Sequence, residues 1–176
     1  MNQGEILEKT IEHLSLTLIS LSIALLIGIP LGIFLTRYKK LSGFVIGLVS
    51  TIQTIPSLAL FGFLLPFFGI GSKPAIIALF LYALLPIVRN TFTGIEEVDF
   101  SIKESAKGMG MSDFQILTKV ELPLATPVIF AGVRTATVLS VGIATISTYI
   151  GAGGLGDFIA RGIALNNTKM ILILIA

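Results

Sequence analysis

The residue types that usually carry chemistry are scarce in this sequence. It has one histidine, His13, and no cysteine, so thiolate metal sites and disulfides are excluded and His13 cannot build a metal site alone. No His/Asp/Ser constellation and no G-x-x-x-x-G-K-[ST] phosphate loop occurs. We therefore expect no catalytic residue, no metal and no cofactor on this chain, and no ATP binding in the manner of a phosphate loop.

One pattern typical of nucleotide binding is present. Residues 151–156, G-A-G-G-L-G, satisfy G-x-G-x-x-G, but the dinucleotide fingerprint requires a preceding strand and an acidic residue about twenty positions later. Here a long apolar segment precedes the glycines, and the sequence contains no acid after Asp157. We interpret the pattern as a flexible outer turn built from Gly151, Gly153, Gly154, Gly156 and Asp157.

The composition indicates the environment of these residues. Hydrophobic residues make up 54% of the 176 positions and charged residues 12%, with a mean hydropathy of +0.97. A soluble domain carries about 25% charged residues. The sequence therefore predicts an all-α integral membrane protein in contact with the lipid bilayer, and a net charge of +2 gives no reason to expect a nucleic-acid partner.

Long uncharged stretches predict where the chain crosses the membrane, since about 20 apolar residues span a bilayer. The second stretch contains Pro56 and Pro66, so we predict a broken or kinked span there, with a hairpin of two short helices as the alternative. Residues from 168 onward are interpreted as the truncated start of a fifth span. The chain is thus predicted to be a single transmembrane domain, 1–176, with four spans at about 14–36, 41–72, 74–95 and 122–150.

The distribution of basic residues predicts the orientation, because cytoplasmic loops carry an excess of Lys and Arg. If the N-terminus is outside, four basic residues lie outside and seven inside. The inner set is Arg37, Lys39, Lys40, Arg89, Lys103, Lys107 and Lys119. The sequence therefore predicts an outer N-terminus and a cytoplasmic loop at 96–121.

This cytoplasmic loop carries two helix-start patterns. S-x-x-E at Ser101–Glu104 and S-x-x-Q at Ser112–Gln115 are typical of capping boxes. Gly108 and Gly110 can adopt the positive φ that ends a helix. We expect two short helices joined by a tight turn, the second ending before Leu122-Pro123, which either pack on the protein's own inner face or dock in a partner's groove.

The same loop resembles the EAA loop of ABC importer permeases. The spacing matches E-A-A, three residues, G, nine residues, I-x-L-P, with Ser105 and Val120 as two mild departures. In that family the loop forms coupling helices that lie in a cleft of the ATPase subunit. The resemblance therefore implies ATPase coupling by Glu104, Ser105, Ala106, Gly110, Val120, Leu122 and Pro123.

The resemblance extends over most of the chain and implies the fold and the partners. T-I-Q-T-I-P-S-L-A-L-F-G-F-L-L-P at 51–66, the 133–159 segment and the loop are similar to the osmoprotectant branch, which imports glycine betaine, choline or carnitine, with ergothioneine importers as close relatives. It implies a type I importer transmembrane domain of about five helices in a bacterial cytoplasmic membrane. Expected partners are a second permease copy, two ATPase subunits that use ATP and Mg, and a binding protein or fused binding domain near the outer turn.

The fourth predicted span is the candidate for lining a translocation path. On a helical wheel Arg134, Thr137, Ser140, Thr145 and Thr148 fall on one half of the helix, and polar groups at membrane depth tend to face a bundle interior or an aqueous cavity. Ordinary interhelical hydrogen bonding by the hydroxyls remains the alternative, as does an Arg134 side chain that extends to the inner interface.

A secondary transporter with broken helices at the membrane centre is the alternative function. No inverted repeat is evident, and every acidic residue lies in a predicted loop or terminus. The intramembrane acids that would couple an ion gradient to transport are therefore missing.

Overall fold

The computed structural model describes residues 3–167, which are mainly helical and contain no strand. A π-helical turn, Leu117–Glu121, joins the sixth helix to the seventh, and a 3₁₀ turn, Ser147–Ile150, follows the seventh. The helices in chain order are α1 (Gln3–Arg37), α2 (Lys39–Thr54), α3 (Ser57–Phe68), α4 (Ser72–Glu96), α5 (Phe100–Gly108), α6 (Asp113–Ile116), α7 (Leu122–Ile146) and α8 (Gly156–Ala164).

The membrane-spanning helices follow the hydropathy pattern, with differences at their ends. Three helical stretches within the described residues are long and apolar enough to cross a bilayer: α1, α4 and 113–150. α1 begins at Gln3, well before the predicted residue 14, because its charged first turns are stabilised by ion pairs of Lys9 with Asp157 and of Glu5 with Arg161. The predicted fifth span from residue 168 lies outside the described residues.

The second predicted span consists of two helices, α2 and α3, bent by 98°. The break falls at Ile55-Pro56, whereas Pro66 lies inside α3 without interrupting it. Proline at position 56 has no N–H to donate into α2, and the residue before it is held extended, with ψ 128° at Ile55. The break thus follows from local backbone chemistry at one proline.

The prediction that the loop's second helix ends before Pro123 is wrong. α6 continues through the π-helical turn into α7, and Leu122 has helical angles, φ −62° and ψ −46°. Proline is tolerated in the first turn of a helix, and a π turn is wider than an α turn and gives the ring more room. The loop at 96–121 is therefore continuous through helical backbone with the last described span.

α4 occupies the centre of the bundle, packed between α1 and α7. Membrane helices gain little from the hydrophobic effect, so they associate through close packing at small residues. α1 presents Ser20, Ala24, Gly28 and Gly32 at four-residue spacing, all buried, and α7 presents Gly132, Ala136, Ser140 and Ala144 in the same way. These two stripes of small residues set the separation of the three helices.

Two glycines show how close the contacts are. A Cβ added at Gly32 would lie 2.6 Å from Thr91 Cβ, and one added at Gly132 would lie 2.6 Å from both Asn90 Cβ and the Pro86 carbonyl oxygen. Real Cβ atoms do not approach other heavy atoms so closely. Any side chain at these positions must therefore push α4 away from its neighbour.

We expect Gly132→Ala to destabilise the protein by about 1–3 kcal/mol, because overpacking a close interface forces backbone shifts. Gly47→Ala is the matched control, since it lies in α2 with no atom within 4 Å of an added Cβ. There alanine gains about 0.5–1 kcal/mol of helix propensity. Thermal unfolding of the two purified variants in detergent compares them, and equal midpoints would contradict close packing at Gly132.

Candidate functional site

The loop at 96–121 forms a compact helix–turn–helix. Gly110 has φ 81°, and its N–H donates to the Lys107 carbonyl oxygen at 3.0 Å, so the predicted left-handed glycine at this position is confirmed. The predicted positive φ at Gly108 is wrong, because Gly108 is the last residue of α5. The capping box at Ser112 and Gln115 is confirmed, with each side chain accepting from the other's backbone N–H.

The predicted capping box at Ser101–Glu104 is wrong. The N-cap of α5 is Asp99, two residues before Ser101. The Asp99 side chain accepts a hydrogen bond from the Ser101 backbone N–H at 2.8 Å. This hydrogen bond from the Ser101 backbone holds the pKa of Asp99 below its usual value. A carboxylate at a helix N-terminus also interacts favourably with the helix dipole, which explains why Asp99 is preferred to Ser101.

The residues implied in ATPase coupling do not all share one surface. Glu104, Ser105, Gly110 and Pro123 are exposed, Val120 and Leu122 are half-buried, and Ala106 is buried at 2% exposure. The Ala106 carbonyl oxygen accepts from the Met111 N–H at 3.2 Å, which closes the turn. Ala106 thus positions the turn, while Glu104 and Ser105 face outward.

Large apolar side chains project from the same loop into the surroundings. Phe100, Met109 and Phe114 are each more than 70% exposed, and Ile102 is 42% exposed. Phe100, Ile102 and Met109 lie between two spanning stretches, and Phe114 lies in the first turn of the 113–150 stretch, in a charged segment where water rather than lipid is the expected solvent. A cluster of exposed apolar residues outside the membrane is typical of a protein-binding surface.

A buried carboxylate joins this loop to the rest of the protein. Glu121, on the π-helical turn, has a side chain only 3% exposed and lies 2.5 Å from Arg37 of α1 and 3.6 Å from Lys103 of α5. Lys103 Nζ also donates to the Ile95 carbonyl oxygen at the end of α4, at 3.0 Å. A buried charge is tolerated only when it is paired, so Glu121 fixes α1, α4 and α5 relative to α7.

A cavity of about 350 Å³ lies beside this ion pair. It contains both positive and negative side chains. The residues that line it are Arg37, Phe100, Lys103, Glu104, Lys107, Asp113, Ile116 and Glu121. Glu104 therefore lies at the rim of the cavity whose buried part holds Glu121.

The residues predicted to line a path on the fourth span lie on different faces of α7 and of the 3₁₀ turn. Arg134 is exposed, whereas Ser140 is fully buried and its hydroxyl has no partner among the described residues. The hydroxyl of Thr137 donates to Val133 of the same helix at 2.8 Å, that of Thr145 to Val141 at 3.4 Å, and that of Thr148 to Asp157. The path assigned to these residues stays a prediction.

The outer turn is held by α1. Gly151, Gly153 and Gly154 have positive φ, and the Gly154 N–H donates to Glu12 Oε2 at 2.9 Å. Gly156 packs against the carbonyl oxygen of Thr145, leaving no room for a side chain. The turn then enters α8, a helix that the sequence did not lead us to expect.

Ion pairs strengthen the same contact. Lys9 lies 2.8 Å from Asp157 and 2.9 Å from Glu12, and Arg161 lies 2.7 Å from Glu5. Burial opposes ionisation of Asp157, but hydrogen bonds from Lys9 and Thr148 outweigh it and lower the pKa of Asp157 below its usual value. Asp157 is therefore a charged anchor between α8 and α1.

Sequence reasoning missed Glu121, Arg37 and Lys9 as structural partners. Glu121 occupies the x of the I-x-L-P pattern, where any residue is allowed, and its partner Arg37 is 84 residues away in sequence. The available signal was that Glu121 comes directly before one predicted span and Arg37 directly after another, which places both at the same end of the predicted bundle.

We expect Glu121→Gln to destabilise the protein by about 1.5–3 kcal/mol, the usual size of a hydrogen bond to a charged group. The amide cannot pair with both Arg37 and Lys103. Glu104→Gln is the control, since it changes the same residue type at an exposed position. Thermal unfolding of the two detergent-solubilised variants is the measurement, and an unchanged midpoint for Glu121→Gln would show that the pairing contributes nothing.

Comparison with known proteins places these features in a family. The family described as the binding-protein-dependent transport system inner membrane component matches residues 28–176. The choline transport system permease protein OpuBB of Bacillus subtilis is 50% identical, over 97% of this chain and 79% of its own length. The osmoprotectant import permease protein OsmW of Salmonella typhimurium is 43% identical, over 97% of this chain and 82% of its own length.

A solved structure agrees with this assignment. A chain from a structure of inward-facing conformations of the MetNI methionine ABC transporter is 25% identical and superposes with a TM-score of 0.85, covering 99% of this chain and 91% of that one. The helical order described above is thus the order of a type I importer permease. The chain belongs to the binding-protein-dependent transport system inner membrane components, and it is a membrane permease subunit of an ABC importer rather than an enzyme.

Proposed function

We propose that this permease imports a quaternary-amine compatible solute, namely glycine betaine, choline or carnitine, with ergothioneine as the further candidate from the sequence resemblance. The support is the agreement among similar proteins, whose names specify choline, carnitine, glycine betaine and osmoprotectants. The identity to these proteins runs through the spanning helices as well as the loop, since the matches cover 97% of the chain.

The loop between α4 and α7 couples solute transport to ATP hydrolysis in this proposal. The single observation that carries this part is the exposed apolar set on a capped, rigid loop, Phe100, Ile102, Met109 and Phe114. Such a surface fits a groove of a partner protein. We infer that the partner is the ATPase subunit, which binds ATP and Mg, and that Glu104, Ser105 and Gly110 form part of the contact.

The route of force transmission follows from the loop's attachments. α6 runs without a break into α7, and Glu121 joins the loop to Arg37 at the inner end of α1. Movement of the docked loop would therefore displace α1 and α7 together and open the path alternately to either side. No flexible linker separates the loop from these spans.

The assembly proposed around this chain has a second permease copy, two ATPase subunits and a substrate-binding protein or fused binding domain. The N-terminus is outside. This orientation is supported by the basic residues Arg37, Lys39, Lys40, Lys103 and Lys107, which lie at the end of the bundle that carries the loop. The outer turn at 151–157 then lies on the side where a binding protein delivers solute.

The transported solute is tested with the complete transporter in proteoliposomes that contain ATP. We expect labelled choline, glycine betaine, carnitine or ergothioneine to accumulate at least tenfold over liposomes with ADP. Accumulation of the same solute by the permease alone, without the ATPase subunit, would contradict the ATP-driven mechanism. Accumulation of none of the four with a functional ATPase would contradict the substrate assignment alone.

The coupling role is tested at Gly110. Valine there must adopt a left-handed backbone, which costs an L-residue about 1–2 kcal/mol or more, a factor of 5–30 in the population of the native turn. We expect Gly110→Val to abolish uptake and to release the ATPase subunit on purification, with normal membrane insertion. Gly108→Val is the matched control, because Gly108 is helical and also has open space around an added Cβ. Equal uptake by both variants would count against the coupling turn.

A further inference from the structure

The break between α2 and α3 lies at the middle of the membrane. The Tyr82 side chain hydrogen-bonds to the break, and Tyr82 stands ten residues from the outer end of α4 and fourteen from its inner end. At 1.5 Å per residue these distances are roughly 15 Å and 21 Å. The elbow, defined as residues 51–59, is therefore far from either bilayer surface.

Two interrupted helices satisfy each other's backbone at this depth. Pro86 has no N–H, so the Tyr82 carbonyl oxygen has no donor four residues later in α4, and Gln53 Nε2 of α2 donates to it at 2.8 Å. The Ile55 carbonyl oxygen is left free by the break at Pro56, and the Tyr82 hydroxyl donates to it. These two reciprocal hydrogen bonds hold the elbow against the centre of α4.

The opposite side of the elbow is uncovered. Thr51, Thr54, Ile55 and Pro56 are exposed, and the two threonine hydroxyls donate only within their own helix, to Gly47 at 3.0 Å and to Thr51 at 2.7 Å. Non-helical backbone does not face lipid in the hydrocarbon region; it is tolerated only where it is buried in protein or lines an aqueous cavity. Exposed hydroxyls beside a helix break favour the aqueous cavity.

A recess adjoins the elbow and suits a small solute with apolar methyl groups. Its volume is about 480 Å³, and its lining has no charged side chain: Ile52, Ile55, Ala59, Leu60, Phe63 and Leu81. Phe63 is 66% exposed, so its ring face is available to a cationic methylammonium group. The neighbouring threonine oxygens supply the polar contacts that such a solute also needs.

We propose that the exposed side of the elbow, Thr51, Thr54 and Pro56, lines the solute path at the centre of the membrane, with Tyr82 and Gln53 as positioning residues. The proposal rests on the proposed function, because a transported solute is what the path conducts. It adds a second wall to the path predicted on α7. The Tyr82 and Gln53 hydrogen bonds hold the elbow against α4, so breaking them would let the elbow move relative to the path.

The accessibility of the elbow is tested with cysteines, which this sequence lacks. Thr54→Cys is introduced into the complete transporter in proteoliposomes and treated on both sides with a trimethylammonium-ethyl methanethiosulfonate, a water-soluble reagent that carries the quaternary amine. The control is Leu26→Cys, a 76% exposed position on the apolar part of α1. We expect the cysteine of Thr54→Cys to react at least tenfold faster, and choline or glycine betaine to slow that reaction.

The outcomes separate the two proposals. If both cysteines react equally slowly while choline or betaine is transported normally, the elbow is covered by lipid, the second copy or another span, and the path proposal is overturned. If the cysteine of Thr54→Cys reacts rapidly, but no quaternary amine slows the reaction or is transported, the path proposal is supported and the substrate assignment is contradicted.

The positioning role is tested with Tyr82→Phe in the Thr54→Cys background. We expect the ratio of the labelling rates in the ATP-bound and ATP-free transporter to fall to about one, and the solute KM to rise several-fold, with unchanged protein abundance. Tyr38→Phe is the control, since Tyr38 is exposed and stacks on Phe34 through its ring alone.

If Tyr82→Phe fails to insert, Gln53→Leu provides the same test, because it removes only the bond to the Tyr82 carbonyl oxygen. Wild-type labelling ratios and KM in the variant that inserts would overturn the positioning role.

Discussion

A bilayer offers no hydrogen-bond partner to the protein backbone, and this constraint explains most of what is unusual in the structure. Each proline inside a spanning helix leaves one carbonyl group without its donor, and that group must find another within the protein. The carbonyl of Tyr82 receives the amide of Gln53, and the break before Pro56 is satisfied by the Tyr82 hydroxyl. Two backbone defects that would each be costly alone are thus paired at one depth.

The pairing requires α2, α3 and α4 to stay in register, and the small residues provide the frame for it. Gly32 and Gly132 bring α1 and α7 against opposite sides of α4, so closely that a methyl group at either position would clash. Because α4 is fixed from both sides, Tyr82 is held at a defined height and rotation. A core of this kind depends on the absence of side chains as much as on their presence.

The fold was predictable from the sequence where the determinants are local. Apolar stretches predict α1, α4 and α7, and the chemistry at Ser112 and Gly110 predicts the cap and the turn of the loop. The errors arose where two local rules competed, because a charged cap at Asp99 displaced Ser101 and the π-helical turn carried the helix through Pro123.

The site was less predictable, because its main contacts are between distant segments. The Glu121 side chain meets Arg37 across 84 residues of sequence, and the Gly154 N–H meets Glu12 across 142. A helical wheel places Arg134 and Ser140 on the same half of the fourth span, and it does not show that Arg134 is exposed while Ser140 is buried. In α7 the positions of the small residues indicate the buried face better than the positions of the polar residues do.

α1 is tied to the α7 segment at both ends. Arg37 pairs with Glu121 at the end that carries the 96–121 loop, and Lys9 and Glu12 hold Asp157 and the Gly154 N–H at the opposite end. A helix that is attached to its neighbour at both ends and packs closely between them cannot slide easily. We therefore expect α1, α4 and α7 to move as one rigid body. The elbow is attached to that body by two hydrogen bonds, each worth about 0.5–1.5 kcal/mol, and by apolar packing of Val49 and Phe61 on α4. Because the backbone is interrupted at Pro56, α2 and α3 can change their relative angle there without breaking a continuous helix.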